Sequence, residues 1–113
     1  AAGDEALRLF ADAVQCCLRN QDLGGRLGGE EFAIFLPETP EALALPVAER
    51  IRARMAETPL QHDGCEMNVT VSIGVTEAQS KDSLQTLMQR ADRALYAAKQ
   101  AGRNRVMPAS QLP

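Results

Sequence analysis

No apolar run in these 113 residues approaches the roughly 20 that a spanning helix needs, so no membrane-crossing segment is read from them. No basic excess is present either. Twelve Lys and Arg face fifteen Asp and Glu, for a formal charge of −3, and the two signs are interleaved. That balance argues against a general surface for a nucleic acid polymer. Cysteine is scarce: Cys16, Cys17 and Cys65, an odd number with two adjacent on an expected helix. Such a set builds neither a disulfide framework nor a zinc site, and free thiols in a reducing cytosol are expected. Repeats and low-complexity stretches are absent. Ala1 is not followed by a charged region and an apolar core, so no secretory signal is expected. What is present is an apolar fraction of 45%, ordinary for a globular chain and enough for one domain or a piece of one.

Periodicity divides the chain into alternating elements. Leu7, Phe10, Ala11, Val14, Cys17 and Leu18 fall on one face of a helix over 6–18, with Gly3 or Asp4 opening it. A hairpin follows: a strand ending near Leu27, a turn over 28–31 and a strand from Phe32 to Leu36. Thr39-Pro40 has the form of a helix cap with proline at the first helical position. The helix over 41–57 is expected to bury Leu43, Val47, Ile51 and Met55, with a kink or late start at Pro46. Asp63-Gly64 signals a second hairpin, and 67–75 alternates as a half-buried strand. Asp82 or Ser83 caps a third helix with Leu84, Leu87, Met88, Ala91, Leu95 and Ala98 on one stripe. Gly102 suits its C′ position, and a short strand over 105–107 closes the chain. Hairpins beside crossovers predict an α/β (α+β) fold with a mixed, mostly antiparallel sheet flanked by helices.

The stretch that carries chemistry is R-L-G-G-E-E-F-A-I-F-L-P, Arg26 to Pro37. Gly28 and Gly29 let backbone approach a ligand closely, because no Cβ stands in the way. Glu30 and Glu31 repel each other unless water screens them or a cation lies between them. Their hard oxygens suit Mg²⁺ or Mn²⁺, and Mg²⁺ commonly joins one or two carboxylates to substrate phosphates. Two readings stay open from the turn alone: a metal-and-phosphate site, or a solvated hairpin with two surface acids.

Beyond the turn, G-G-E-E-F (Gly28 to Phe32) resembles the signature of the GGDEF family of diguanylate cyclases, in its Glu variant. R-N-Q-D (Arg19 to Asp22) stands where the family has its RxxD inhibitory site. N-V-T-V-S-I-G-V (Asn68 to Val75), A-D-R-A-L-Y-A-A-K-Q-A-G-R-N-R-V (Ala91 to Val106) and A-G-D-E-A-L (Ala2 to Leu7) are similar to further family blocks. The similarity extends over essentially the whole chain.

The resemblance implies a nucleotidyl-cyclase-like fold that condenses two GTP into cyclic di-GMP and pyrophosphate. It implies Glu30 as metal ligand and as the carboxylate that activates a ribose 3′-hydroxyl, with Glu31 in support. Gly28 and Gly29 would let the nucleotide lie against backbone. Lys99 and Arg103 would reach the terminal phosphates, and their spacing of four suggests that both point one way; favourable charge at a helix C-terminus is the alternative. Asp4 would read guanine, or else simply cap a helix. One hairpin holds one GTP, so a homodimer is implied. Arg19 and Asp22, with help from Arg50, would bind cyclic di-GMP as inhibitor, since guanidinium forks suit phosphate and guanine edges. A helix-end arginine, a polar turn and a solvated face among Arg50, Arg52 and Arg54 are the plain alternatives. A catalytically silent receptor for cyclic di-GMP is the rival function.

The family also has, ahead of the A-G-D segment, a strand with another metal-binding aspartate, a phosphate loop and a guanine-reading asparagine. None of these is in the sequence, so an N-terminally incomplete domain is expected, inactive as it stands. A regulatory sensory domain and a cytoplasmic site, on a protein that could be membrane-anchored, are implied as well. L-G-G-R (Leu23 to Arg26) departs from the bulkier residues usual in the family. His62 and Cys65 carry no functional reading.

Overall fold

The computed structural model describes residues 2–113 and is built as α1 (Ala2–Cys17), β1 (Leu23–Gly28), β2 (Glu31–Phe35), α2 (Glu41–Glu57), β3 (Leu60–His62), β4 (Cys65–Met67), β5 (Ile73–Val75), α3 (Leu84–Gln100) and β6 (Val106–Pro108). A single 3₁₀ turn, Ala109–Gln111, ends the described structure. The strands pair as β1–β2 and β3–β4, both antiparallel, and as β5–β6, parallel across α3. The α/β class and the antiparallel majority are as expected, with the ladders in three two-stranded pieces.

The core lies where α2 and α3 cover β5 and β6. Ala44, Ala48 and Val75 form its centre, with Leu36, Leu45, Ile73 and Val106 packed round them. On α2 the buried stripe is Ala44, Ala48, Ile51 and Met55. The expected stripe began one residue too early: Leu43 is 63% exposed. Small alanines allow α2 to lie close to the sheet, and a leucine there would hold it off. On α3, likewise, Leu84 is exposed and Ala94 and Ala98 are the fully buried positions. Gly74 explains this closeness, because a Cβ on it would lie 2.3 Å from the Leu95 amide nitrogen.

The helix ends show which signals the sequence gave reliably. Ser83 caps α3 in a reciprocal box: its Oγ accepts from the Thr86 amide at 3.1 Å, and Thr86 Oγ1 accepts from the Ser83 amide at 2.9 Å. At the other end Gly102 (φ 126°) donates to Lys99 and Arg103 to Ala98, the paired bonds of a Schellman ending. α2 differs from expectation. Pro40, not Thr39, occupies the cap, and the Glu41 amide is met by Glu77 Oε1 at 2.7 Å. The Glu41 carboxylate in turn accepts from the Ser110 hydroxyl and amide. Helix α2 runs unbroken through Pro46, with no late start.

The long strand expected over 67–75 is divided. Val69 and Val71 remain half-buried and Asn68 and Thr70 exposed, so the alternation survives, but no ladder forms there among the described residues. Period-two patterning records two faces; it does not supply a hydrogen-bonding neighbour. Asn68 turns its amide to the Ala56 carbonyl at 2.9 Å. Between β3 and β4 the Asp63-Gly64 turn is confirmed, both residues being left-handed (φ 50° and 77°).

Candidate functional site

Arg19, Asp22 and Arg50 are brought together in one cleft. Asp22, just past α1, has a side chain only 2% exposed. Its Oδ2 accepts from the Arg19 amide at 2.8 Å, and its Oδ1 accepts from Arg19 Nη2 at 2.9 Å. This pairing holds the Asp22 carboxyl below its ordinary range and lifts the Arg19 guanidinium above its own. Arg19 Nη2 also donates to Thr39 Oγ1 at 2.8 Å. Thr39 in turn donates to the Pro37 carbonyl at 2.9 Å. Arg50 reaches the same cleft from α2, a space of about 160 Å³ floored by Leu36, Leu43 and Val47. Thr39 was missed because its sequence context reads as a helix cap.

The carboxylate turn lies at the tip of the β1–β2 hairpin. Gly28 pairs with Glu31, after a register shift that leaves Leu27 out of the ladder and 57% exposed. Gly29 is left-handed (φ 54°), which an L side chain adopts reluctantly. An added Cβ at Gly28 or Gly29 meets nothing within 4 Å, so the approach to the turn is open. Arg26 braces the turn by donating Nε–H to the Gly29 carbonyl at 2.9 Å. Phe10 of α1 packs against Phe32 of β2 at 4.7 Å between ring centres, the rings tilted by 51°, and so joins the hairpin to the first helix. Glu30 and Glu31 are exposed, and among the described residues neither enters an ion pair. No group of three metal-ligating side chains occurs among the described residues.

The remaining sequence candidates are apart from that cleft. Asp4 is an exposed residue inside the first turn of α1, so it is not the helix opener. Lys99 is in the last turn of α3 and exposed. Arg103 closes the Schellman ending in a left-handed conformation (φ 62°). A spacing of four aligns side chains only within a continuous helix, and α3 ends at Gln100, so the spacing by itself does not align the two. No helix of the described residues is long and apolar enough to cross a membrane.

Comparison with known proteins agrees with the hairpin and the fold. The model of the family described as "Diguanylate cyclase, GGDEF domain" matches residues 1–105. The chain belongs to the GGDEF family. Diguanylate cyclase A of Treponema denticola is 46% identical over 107 residues, covering 94% of this chain and 29% of that protein. Response regulator PleD of Caulobacter vibrioides is 44% identical over 108 residues, covering 93% of the chain and 24% of its own length. The chain thus spans less than a third of these curated relatives. The GGDEF domain of DgcB from Caulobacter crescentus, in complex with c-di-GMP, superposes with a TM-score of 0.91 at 32% identity, covering 96% of this chain and 65% of that one. The active GGEEF domain of a diguanylate cyclase from Vibrio cholerae gives 0.87 at 35% identity, covering 98% and 70%.

Proposed function

We propose that residues 1–113 are the C-terminal portion of a GGDEF domain whose protein condenses two GTP into cyclic di-GMP, with product inhibition at the Arg19 cleft. The observation that carries the reading is the braced, open Gly28-Gly29 turn with Glu30 and Glu31 beside it. Exposed adjacent carboxylates before open space fit Mg²⁺ or Mn²⁺, which takes its other ligands from water and phosphate. When bound, the ion neutralises charge developing on the phosphate oxygens.

The chain's own groups divide the remaining work. Glu30 accepts the proton of a ribose 3′-hydroxyl, and Glu31 supports the ion and its water shell. The hydroxyl oxygen bonds to the α-phosphorus of the second GTP as the bond to the β-phosphate bridge breaks. Pyrophosphate leaves, and the second such transfer closes the ring. Lys99 and Arg103 hold terminal phosphates, and Asp4 accepts from guanine N1–H and the exocyclic amine. Each hairpin presents one GTP, so two copies must face each other.

The test is product formation from GTP and Mg²⁺ by the full-length protein beside its Glu30→Gln variant. Loss of cyclic di-GMP formation with retained cyclic di-GMP binding is expected. Turnover by the variant equal to that of the parent refutes the role of Glu30. A second reading, a silent cyclic di-GMP receptor, is favoured by one observation: the Arg19 cleft is already assembled, with three side chains and a floor in place. Binding without turnover by the parent would select it.

A further inference from the structure

Two consecutive residues after α3, Arg103 and Asn104, are left-handed at φ 62° and 48° although neither is glycine. Such a run is costly for L-residues and persists only where surrounding contacts enforce it. The contacts converge on Asn104. Its amide donates to Ser72 Oγ at 3.2 Å, and the neighbouring Arg105 carbonyl accepts from the Ile73 amide at 3.0 Å. Its side-chain Oδ1 accepts from Arg52 Nη1 of α2 at 2.9 Å. Arg52 is itself immobilised by Glu49, whose oxygens accept from Nε at 2.7 and 2.9 Å and from Nη2 at 2.6 Å. That pairing lowers the Glu49 carboxyl and raises the Arg52 guanidinium from their ordinary values.

We infer that Glu49, Arg52 and Asn104 form a strut that fixes the direction in which the strained turn presents Arg103, making Arg52 and Asn104 positioning residues for the phosphate end of the substrate. The inference rests on the proposed phosphate contact of Arg103. A surface pair serving only stability gains little from gripping a distant, strained loop. Here the planar guanidinium uses one edge for Glu49 and gives a donor of its other terminal nitrogen to Asn104, 52 residues away. A lysine offers no such two-sided geometry.

The experiment compares Arg52→Ala, Arg52→Lys, Asn104→Gly and Asn104→Asp in the full-length protein, with Arg103→Ala as reference. Glycine tolerates the left-handed backbone and removes the side chain with its acceptor, while aspartate keeps the acceptor. Arg52→Ala and Asn104→Gly should each raise the KM for GTP about tenfold, as loss of a charge-assisted hydrogen bond implies. Their double variant should rise no further than either alone, since both cut the same strut. Asn104→Asp should stay within about twofold of the parent, with Arg52→Lys resembling Arg52→Ala. Cyclic di-GMP affinity should be unchanged throughout. The inference is overturned if KM rises in Arg103→Ala but not in Arg52→Ala and Asn104→Gly. It is equally overturned if KM, cyclic di-GMP affinity and melting temperature deteriorate together, the pattern of a general structural loss. An unchanged KM in Arg103→Ala would instead refute the phosphate reading on which the strut depends.

Discussion

Gly74→Ala should be the most damaging single-methyl change in the molecule. The added carbon would sit 2.3 Å from the Leu95 nitrogen, 2.4 Å from the Ala91 oxygen and 2.9 Å from the Ala94 carbonyl carbon. All three are backbone atoms of α3, so no rotamer can yield. Ordinary contact begins near 3.4 Å, and in a close-packed interior the helix must retreat about 1 Å from β5 to admit the methyl. The retreat unpacks Ala94 and Ala98, both 0% exposed. Overpacking against yielding side chains costs about 1–3 kcal/mol. Against a rigid helix the cost should reach about 3–5 kcal/mol, a large part of a total stability of about 5–15 kcal/mol. With an m-value of about 2 kcal/mol per molar urea, the midpoint falls by about 2 M. The assay is a urea titration of the full-length protein, followed by hydrogen exchange of α3 and β5 amides. Gly25→Ala is the control, since its Cβ meets nothing within 4 Å. A Gly74→Ala midpoint equal to the parent's would refute the close-approach argument. Equal losses in both variants would show a general sensitivity of strand glycines instead.

Removing the cap of α3 by Ser83→Ala should cost about 1 kcal/mol, read as a lower urea midpoint, and Thr86→Ala should lower it further, because the bond from the backbone amide of residue 83 to Thr86 Oγ1 survives the first change. Asp22, Glu49 and Asp82 all have carboxyls held below their ordinary values, the first two chiefly by hydrogen bonds from Arg19 and Arg52, the third by the Gln79 amide. A lowered native value means stability that is present above the ordinary value and lost as pH falls through the native one. The urea midpoint should therefore be level near neutrality and fall below about pH 4. Asp22→Asn should reduce that acid sensitivity, and a pH profile unchanged from the parent's would remove Asp22 from the account.

Signals that depend on one residue's backbone chemistry were legible in the sequence. The Asp63-Gly64 turn, Ser83 as a cap, Gly102 as a stop and the glycine hairpin are all found where local chemistry puts them. The grouping of Arg19, Asp22 and Arg50 was legible through the resemblance to the family. What the sequence did not reveal depends on distance in space. The α2 stripe was misplaced because alanines were passed over for a leucine, and only the Gly74 contact and its neighbours show how closely the helices lie. Thr39 was assigned to a cap, but the Glu41 amide is met by Glu77, 36 residues beyond it. The Arg52–Asn104 bond joins positions 52 apart, and no local pattern announces it.

The remote cap of α2 also bears on the order in which the chain is made. Its first amide is met by Glu77, and its first carboxylate is tied to Ser110. Both partners leave the ribosome after the helix itself has emerged. The opening turn, weakened further by Pro46 withholding a donor from Ala42, therefore has no partner while it waits. Helix α2 should fray at its start until Ser110 arrives, then close late. The stretch that carries Ser110 is thus a latch on the opening turn of α2.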